Sequence, residues 1–196
     1  MEILIGTHNQ NKFSQFQRAF AQLGNKIKLL SLNDVKIKDE VEEDSDSLMV
    51  NARKKAQFYG EKSGLPTLAD DLGLFIDALG GEPGVHAKRW LEGTDKDRYL
   101  KILEKMKDVP EAKRTCSYKS VLAFYDPQKK GFWTYQQSLD GFIAREPKEG
   151  RGFGYDPIVF INGKYYSEYS DEERYQVSHR GLGSRELLKH LGFMIR

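Results

Sequence analysis

The stretch Ile3-Leu4-Ile5-Gly6 constrains the fold more than any other part of the chain. A short, unbroken apolar run closed by glycine reads as a buried strand. Phe13, Phe16, Phe20 and Leu23 follow at helical spacing and predict a helix from about Asn11 to Leu23. A strand that turns at once into an amphipathic helix is the opening unit of an α/β sheet. The same alternation continues. Ile27–Leu32 predicts a second strand, and Leu48, Ala52, Ala56 and Tyr59 mark one face of a second helix. Ser45 or Ser47 is placed to cap that helix, and Gly64-Leu65-Pro66 to end it. Thr67–Asp70 reads as a third strand that delivers two aspartates at its C-terminal end.

The second half changes character. After a turn-rich loop (Gly80, Gly81, Pro83, Gly84) and a helix over Asp97–Met106 come two long β-branched and aromatic runs. Thr115–Tyr125 and Phe132–Ala144 flank Asp126-Pro127 and predict a hairpin. Ile158–Ile161 and Lys164–Tyr166 flank Asn162-Gly163, the residue pair that suits a type I′ turn. A final helix is expected over Leu182–Leu191, closing at Gly192. The fold class that results is α/β: one domain spanning 1–196, with a mixed, twisted sheet flanked by helices.

Composition narrows the function. A chain of 196 residues buries about 70% of its unfolded surface and needs no disulfide or metal to fold. Lys and Arg (31) nearly balance Asp and Glu (29), which argues against a dedicated nucleic-acid binder. The apolar runs are far shorter than the ~20 residues of a membrane span, and no secretory leader is visible. Cys116 has no partner cysteine, which suits a reducing compartment, so a cytoplasmic protein is expected.

Five segments could carry chemistry. Thr7, His8, Asn9, Gln10, Asn11 and Lys12 join the first strand to the first helix, where N–H groups, the helix dipole and a lysine suit a phosphate. An ordinary capped turn would look the same. The acidic run Glu40, Glu42, Glu43, Asp44 and Asp46 is by itself a solvated face. Asp70-Asp71 sits where open α/β sheets bind ligands and could join one of those carboxylates around Mg²⁺, or could simply cap a turn. Gly152-Phe153-Gly154-Tyr155-Asp156-Pro157 combines glycines with aromatics able to stack on a flat base. Ser178-His179-Arg180, with Arg174 upstream, offers donors for purine acceptors or else a capped helix with basic residues.

In their order and spacing these blocks resemble the inosine triphosphate pyrophosphatase family, also called HAM1/RdgB-like. The likeness runs through Thr7-x-Asn9-x-x-Lys12, Glu43 with Asn51-Ala52 and Lys55-Ala56, and Ala69-Asp70-Asp71-x-Gly73-Leu74. It continues through Asp77–Val85, Arg89, Gly152–Pro157 and Ser178-His179-Arg180. The resemblance implies an elongated, two-lobed fold around a central cleft and a homodimer. It implies cleavage of non-standard purine nucleoside triphosphates (ITP, dITP, XTP) to monophosphate and pyrophosphate, by attack of water at the α-phosphorus. It further implies that Glu43 and Asp71 hold Mg²⁺, with Asp70 supporting the metal shell and Asp71 also accepting the water's proton. Residues Thr7–Lys12 would take phosphate, Phe153, Gly154, Tyr155 and Asp156 would line the nucleoside pocket, and Arg174, His179 and Arg180 would face the base.

Four positions depart from the family pattern: Leu72 for a usual Ser, Arg174 for Lys, His86 for Tyr and Val50 for Glu. Leu72 and Val50 motivate an alternative, a nucleotide-binding regulator without turnover. A Maf-type pyrophosphatase acting on modified pyrimidine nucleotides is a second, against which Asp77–Val85 and His179-Arg180 speak.

Overall fold

The computed structural model describes residues 1–21 and 27–193. The apolar run forms β1 (Glu2–Ile5), with Ile3, Leu4 and Ile5 fully buried. Successive side chains leave a strand on opposite faces. Ile3 and Ile5 therefore join one core, with Phe16, Phe20, Leu122 and Leu187, while Leu4 joins another, with Leu32, Ile37 and Tyr59.

Helix α1 (Gln10–Ala21) contributes Phe16, Ala19 and Phe20 to the first core; the expected Leu23 lies outside the described residues. Strand β2 (Lys28–Leu30) pairs in parallel with β1 and is shorter than its apolar run. Ser47, not Ser45, caps α2 (Leu48–Ser63) by accepting from the Val50 N–H, and Gly64 ends it in the left-handed region at φ 70°.

Strand β3 (Thr67–Ile76) corrects the sequence reading, because the aspartates lie inside it and not at its end. Two carboxylates read as a stop, but Leu74 and Ile76 are buried beyond them and carry the strand onward. β1 pairs with β3 only through Leu4↔Thr67 and Ile5↔Leu68, so Asp70 and Asp71 follow the point where the parallel partner ends.

The remaining elements are β4 (Pro83–Gly84), α3 (Asp95–Lys105), β5 (Thr115–Asp126), β6 (Gly131–Ile143), β7 (Val159–Ile161), β8 (Lys164–Tyr165), α4 (Asp171–Val177) and α5 (His179–His190). Asn162 (φ 47°) and Gly163 (φ 87°) both adopt the positive φ that a type I′ turn requires. Sheet order is β2-β1-β3-β5-β6-β7-β8, with β4 antiparallel beside β3. Parallel pairing on the β2–β1–β3 side and antiparallel pairing from β6 to β8 make the sheet mixed. Among the described residues, no helix is long and apolar enough to cross a membrane.

The chain forms two compact units. The first takes residues 1–71, 120–137 and the chain from Tyr175 onward; the second takes 72–119 and 138–174.

Candidate active site

The adjacent aspartates of β3 point to opposite faces, and each meets a different environment. Both are buried. Asp70 meets cations. Arg180 donates through NH2 to its Oδ2, His179 Nε2 lies 3.4 Å from that same oxygen, and Lys12 Nζ is 3.3 Å from Oδ1. Burial opposes its charge, but Arg180, then Lys12 and His179, hold its pKa well below the ordinary carboxylate value. Arg180 also donates to Gln15 Oε1 at 2.7 Å, which ties α5 to α1.

Asp71 meets Lys55 and Glu43. Lys55 Nζ donates to Glu43 Oε2 at 2.7 Å and lies 3.4 Å from Asp71 Oδ1. Burial, with the charge of Glu43 adding to it against the pull of Lys55, pushes the Asp71 pKa up to about 6. Glu43 goes the other way: burial opposes its charge, but Lys55, with Lys12 behind it, brings the pKa below the ordinary value. The Oδ2 of Asp71 is buried and has no hydrogen-bond partner.

Lys55 was a spacing match in the sequence reading and carried no role there. Its signal was legible: it falls on the helix face defined by Asn51, Ala52, Ala56 and Tyr59, all buried. A lysine on an apolar helix face needs an anion, and Lys55 has two. Their attraction raises its pKa despite its burial.

The Thr7–Lys12 loop is both a capped turn and a cationic site. Asn9 Oδ1 accepts from the N–H groups of Asn11 (2.9 Å) and Lys12 (3.2 Å), and Thr7 Oγ1 accepts from Asn9 N–H at 3.1 Å. Asn9, as the N-cap, takes the first two of those N–H groups, and Thr7 ahead of it takes the third. What the loop presents is the helix dipole and Lys12, whose pKa burial lowers in spite of Asp70. Gln10 and Asn11 are exposed on its rim. His8 donates to the Asp39 carbonyl, since a carbonyl only accepts, so its Nε2 carries the proton.

Two carboxylates with hard oxygens, one oxygen unsatisfied, fit a small divalent cation. Among the described residues, no group of three or more His, Cys, Asp or Glu gathers to hold a metal. A cation held by only one or two carboxylates completes its shell with phosphates and water.

His179 caps into α5 behind Ser178, whose Oγ accepts from Gly181 N–H. Burial and then the Arg180 charge push the His179 pKa down to about 4, so the ring is neutral at pH 7. The sequence reading grouped Arg174 with His179 and Arg180. The structure pairs Arg174, in the second unit, with Asp156 of the same predicted site.

There, Arg174 donates to Asp156 Oδ2 at 3.0 Å and to the Tyr166 and Arg151 carbonyls, with its guanidinium 4.3 Å from the centre of the Tyr166 ring. Asp156 also accepts from the Tyr118 hydroxyl (3.1 Å) and the Phe153 N–H (3.2 Å). Burial raises its pKa against the pull of Arg174. Gly152, at φ 93°, closes over this pair. A Cβ there would stand 2.0 Å from Asp156 Oδ2 and 2.7 Å from Arg174 NH2. The Tyr155 ring is buried and its hydroxyl donates to the Ala87 carbonyl at 2.6 Å, so it is a pillar of the loop, while Phe153 is the half-buried aromatic. Gly154 N–H is taken by Asp95 Oδ2 at 2.9 Å. Asp95, Tyr118 and Tyr166 had no local signal in the sequence, because each meets the loop only through the fold.

With this geometry in place, comparison with known proteins identifies the class. Residues 3–190 match the model of the Ham1 family, and the chain belongs to that family. A "dITP/XTP pyrophosphatase" of Symbiobacterium thermophilum is 38% identical over 96% of this chain and 94% of its own. A protein of the same name from Geobacter sulfurreducens is 36% identical over 97% and 96%. Among solved structures, a HAM1 protein from Coxiella burnetii superimposes with a TM-score of 0.85 at 30% identity, covering 98% of each chain.

Proposed function

We propose that this chain hydrolyses non-standard purine nucleoside triphosphates, dITP, ITP and XTP, to the monophosphate and pyrophosphate. The observation that carries the reading is the pair of adjacent aspartates in opposite roles. Asp70 secures the cations Arg180 and Lys12, and Asp71 faces Glu43 and Lys55 with one oxygen unsatisfied. Hydrolysis of a triphosphate rests mainly on positioning and charge stabilisation, and buried lysines beside carboxylates supply both. Full-length likeness to proteins named dITP/XTP pyrophosphatase supports the substrate class.

In this reading Glu43 and Asp71 hold Mg²⁺, with Asp70 fixing the surrounding cations. When bound, such a cation neutralises phosphate charge and makes water easier to deprotonate. Asp71 Oδ2 accepts the proton of the attacking water. A carboxyl raised to about 6 is a stronger base than an ordinary aspartate and is still ionised at neutral pH. Lys12 and Lys55 take phosphate oxygens, and Phe153, Gly154, Tyr155 and Asp156, with Arg174, shape the purine pocket. His179 and Arg180 contribute donors to the nucleotide. The family likeness also supports one domain over 1–196, a homodimer and action in the cytoplasm, on nucleotides and not on nucleic acid or membranes.

The test is pyrophosphate release from ITP, XTP, ATP, GTP and dTTP with Mg²⁺ and with EDTA, alongside Asp71→Asn. Release from ITP and XTP alone, lost with EDTA and in the variant, is the expected result. Nucleotide binding without release from any purine would refute it.

A further inference from the structure

The segment 38–46 has no ladder partner and no helical bonds of its own, yet it carries Glu43. Side chains from elsewhere hold it. Lys55 and Lys54 take Glu43 and Asp44, Lys62 takes the Asp39 carboxylate at 2.6 Å, and Asn51 bonds both backbone groups of Ser45. All of these come from α2. From the phosphate-loop side, His8 donates through Nε2–H to the Asp39 carbonyl at 3.0 Å. The same carbonyl accepts from the Tyr59 hydroxyl at 3.2 Å, and the His8 ring stands edge-on to Tyr59 with centroids 6.1 Å apart. Tyr59 in turn lies under Gly6, where a Cβ would come within 3.0 Å of its ring.

We infer that His8 is a positioning residue that clamps the Glu43-bearing segment to the Lys12 loop, and that it does not itself bind phosphate. The inference rests on the proposed hydrolase reading. Its imidazole is spent on the Asp39 carbonyl, with the Tyr59 ring beside it. Without this bond the segment keeps its ties to α2 and the packing of Val41 against Leu4, Leu32 and Tyr59, but loses its hydrogen bond to the loop that carries Lys12. Glu43 then samples positions out of register with Lys12, and both metal and triphosphate bind more weakly.

The experiment compares wild type, His8→Ala and His8→Gln, the last keeping a donor near the Nε2 position. In the metal-free protein, amide exchange over residues 39–44 quickens in His8→Ala and returns toward wild type in His8→Gln. In turnover, His8→Ala raises the half-saturating Mg²⁺ concentration and the KM for ITP by about three- to tenfold, the range of one lost hydrogen bond. These rises exceed any fall in kcat, and His8→Gln restores them. Unchanged exchange over 39–44 in His8→Ala overturns the proposal, as does a loss that falls on kcat alone or that His8→Gln fails to recover. If the wild type cleaves no nucleotide the hydrolase reading fails, while the exchange measurement still decides whether the clamp exists.

Discussion

Arg180 and Asp70 form a buried ion pair that joins the first turn of α5 to the middle of β3. The pair sets the charge state around it. Arg180 raises the cost of protonating His179 and helps keep Asp70 ionised. Replacing it by a neutral residue leaves an anion with weaker support. Arg180→Gln is expected to destabilise the protein by about 3 kcal/mol, as for other broken buried pairs. It is also expected to move the His179 pKa upward from about 4, because the opposing charge is gone while Asp70 remains. Denaturant unfolding and NMR titration of the imidazole check the two effects separately. A His179 pKa that stays put would show that burial alone depresses it.

Asp71 presents the opposite bargain. Its pKa is about 6 when folded against an ordinary 3.8, so the folded state binds the proton more tightly. The stabilising contribution of the protonated form is complete below the unfolded value and is lost as pH rises through about 6. At pH 7 to 8 the metal-free protein therefore carries a destabilising anion beside Glu43. Asp71→Asn is expected to raise the metal-free Tm at that pH, by on the order of 2–6 °C, while abolishing turnover. The gain should vanish near pH 4. A lower Tm at neutral pH would mean that the attraction of Lys55 dominates.

The same group sets the acid limb of activity. At sub-saturating Mg²⁺, hydrolysis is expected to fall as pH drops through about 6, with the slope of one proton. Proton and metal compete for the carboxylate, so raising Mg²⁺ should carry the midpoint lower. Rate profiles at two metal concentrations check this, and a midpoint indifferent to Mg²⁺ would assign the limb to another group.

In the second unit the sensitive position is Gly152. Its positive φ and the nearness of Asp156 and Arg174 leave no room for a methyl group. Gly152→Ala is expected to part the ion pair and cost at least about 3 kcal/mol. Gly154→Ala, where φ is also positive but no atom lies within 4 Å of the added carbon, should cost only about 1 kcal/mol. Urea unfolding of the two variants gives the comparison, and equal losses would mean that backbone strain alone is responsible.

Much of this was legible from sequence because the signals were local. The Ile3–Ile5 run, the Ser47 cap and the Asn162-Gly163 turn each state their conformation in adjacent residues. β3 was cut short because Asp70 and Asp71 look like surface residues until their partners are known. α4 was missed since Asp171-Glu172-Glu173 resembles a solvated loop more than a helix start. The different fates of the two aspartates were implicit in strand alternation, but naming their partners was not. Arg180 lies 110 residues from Asp70, and Asp95 lies 59 from Gly154. Neither distance leaves a trace in local pattern.

Helix α5 also sets the order in which the molecule can be finished. The ribosome makes β3 early and α5 after every strand it packs beside, so Asp70 emerges long before Arg180 and His179 exist. A nascent chain holds that carboxylate with Lys12 beside it but without Arg180, the strongest of its cations. Loss of α5 therefore strips Asp70 of Arg180 and His179 and leaves Lys12 as its remaining cation.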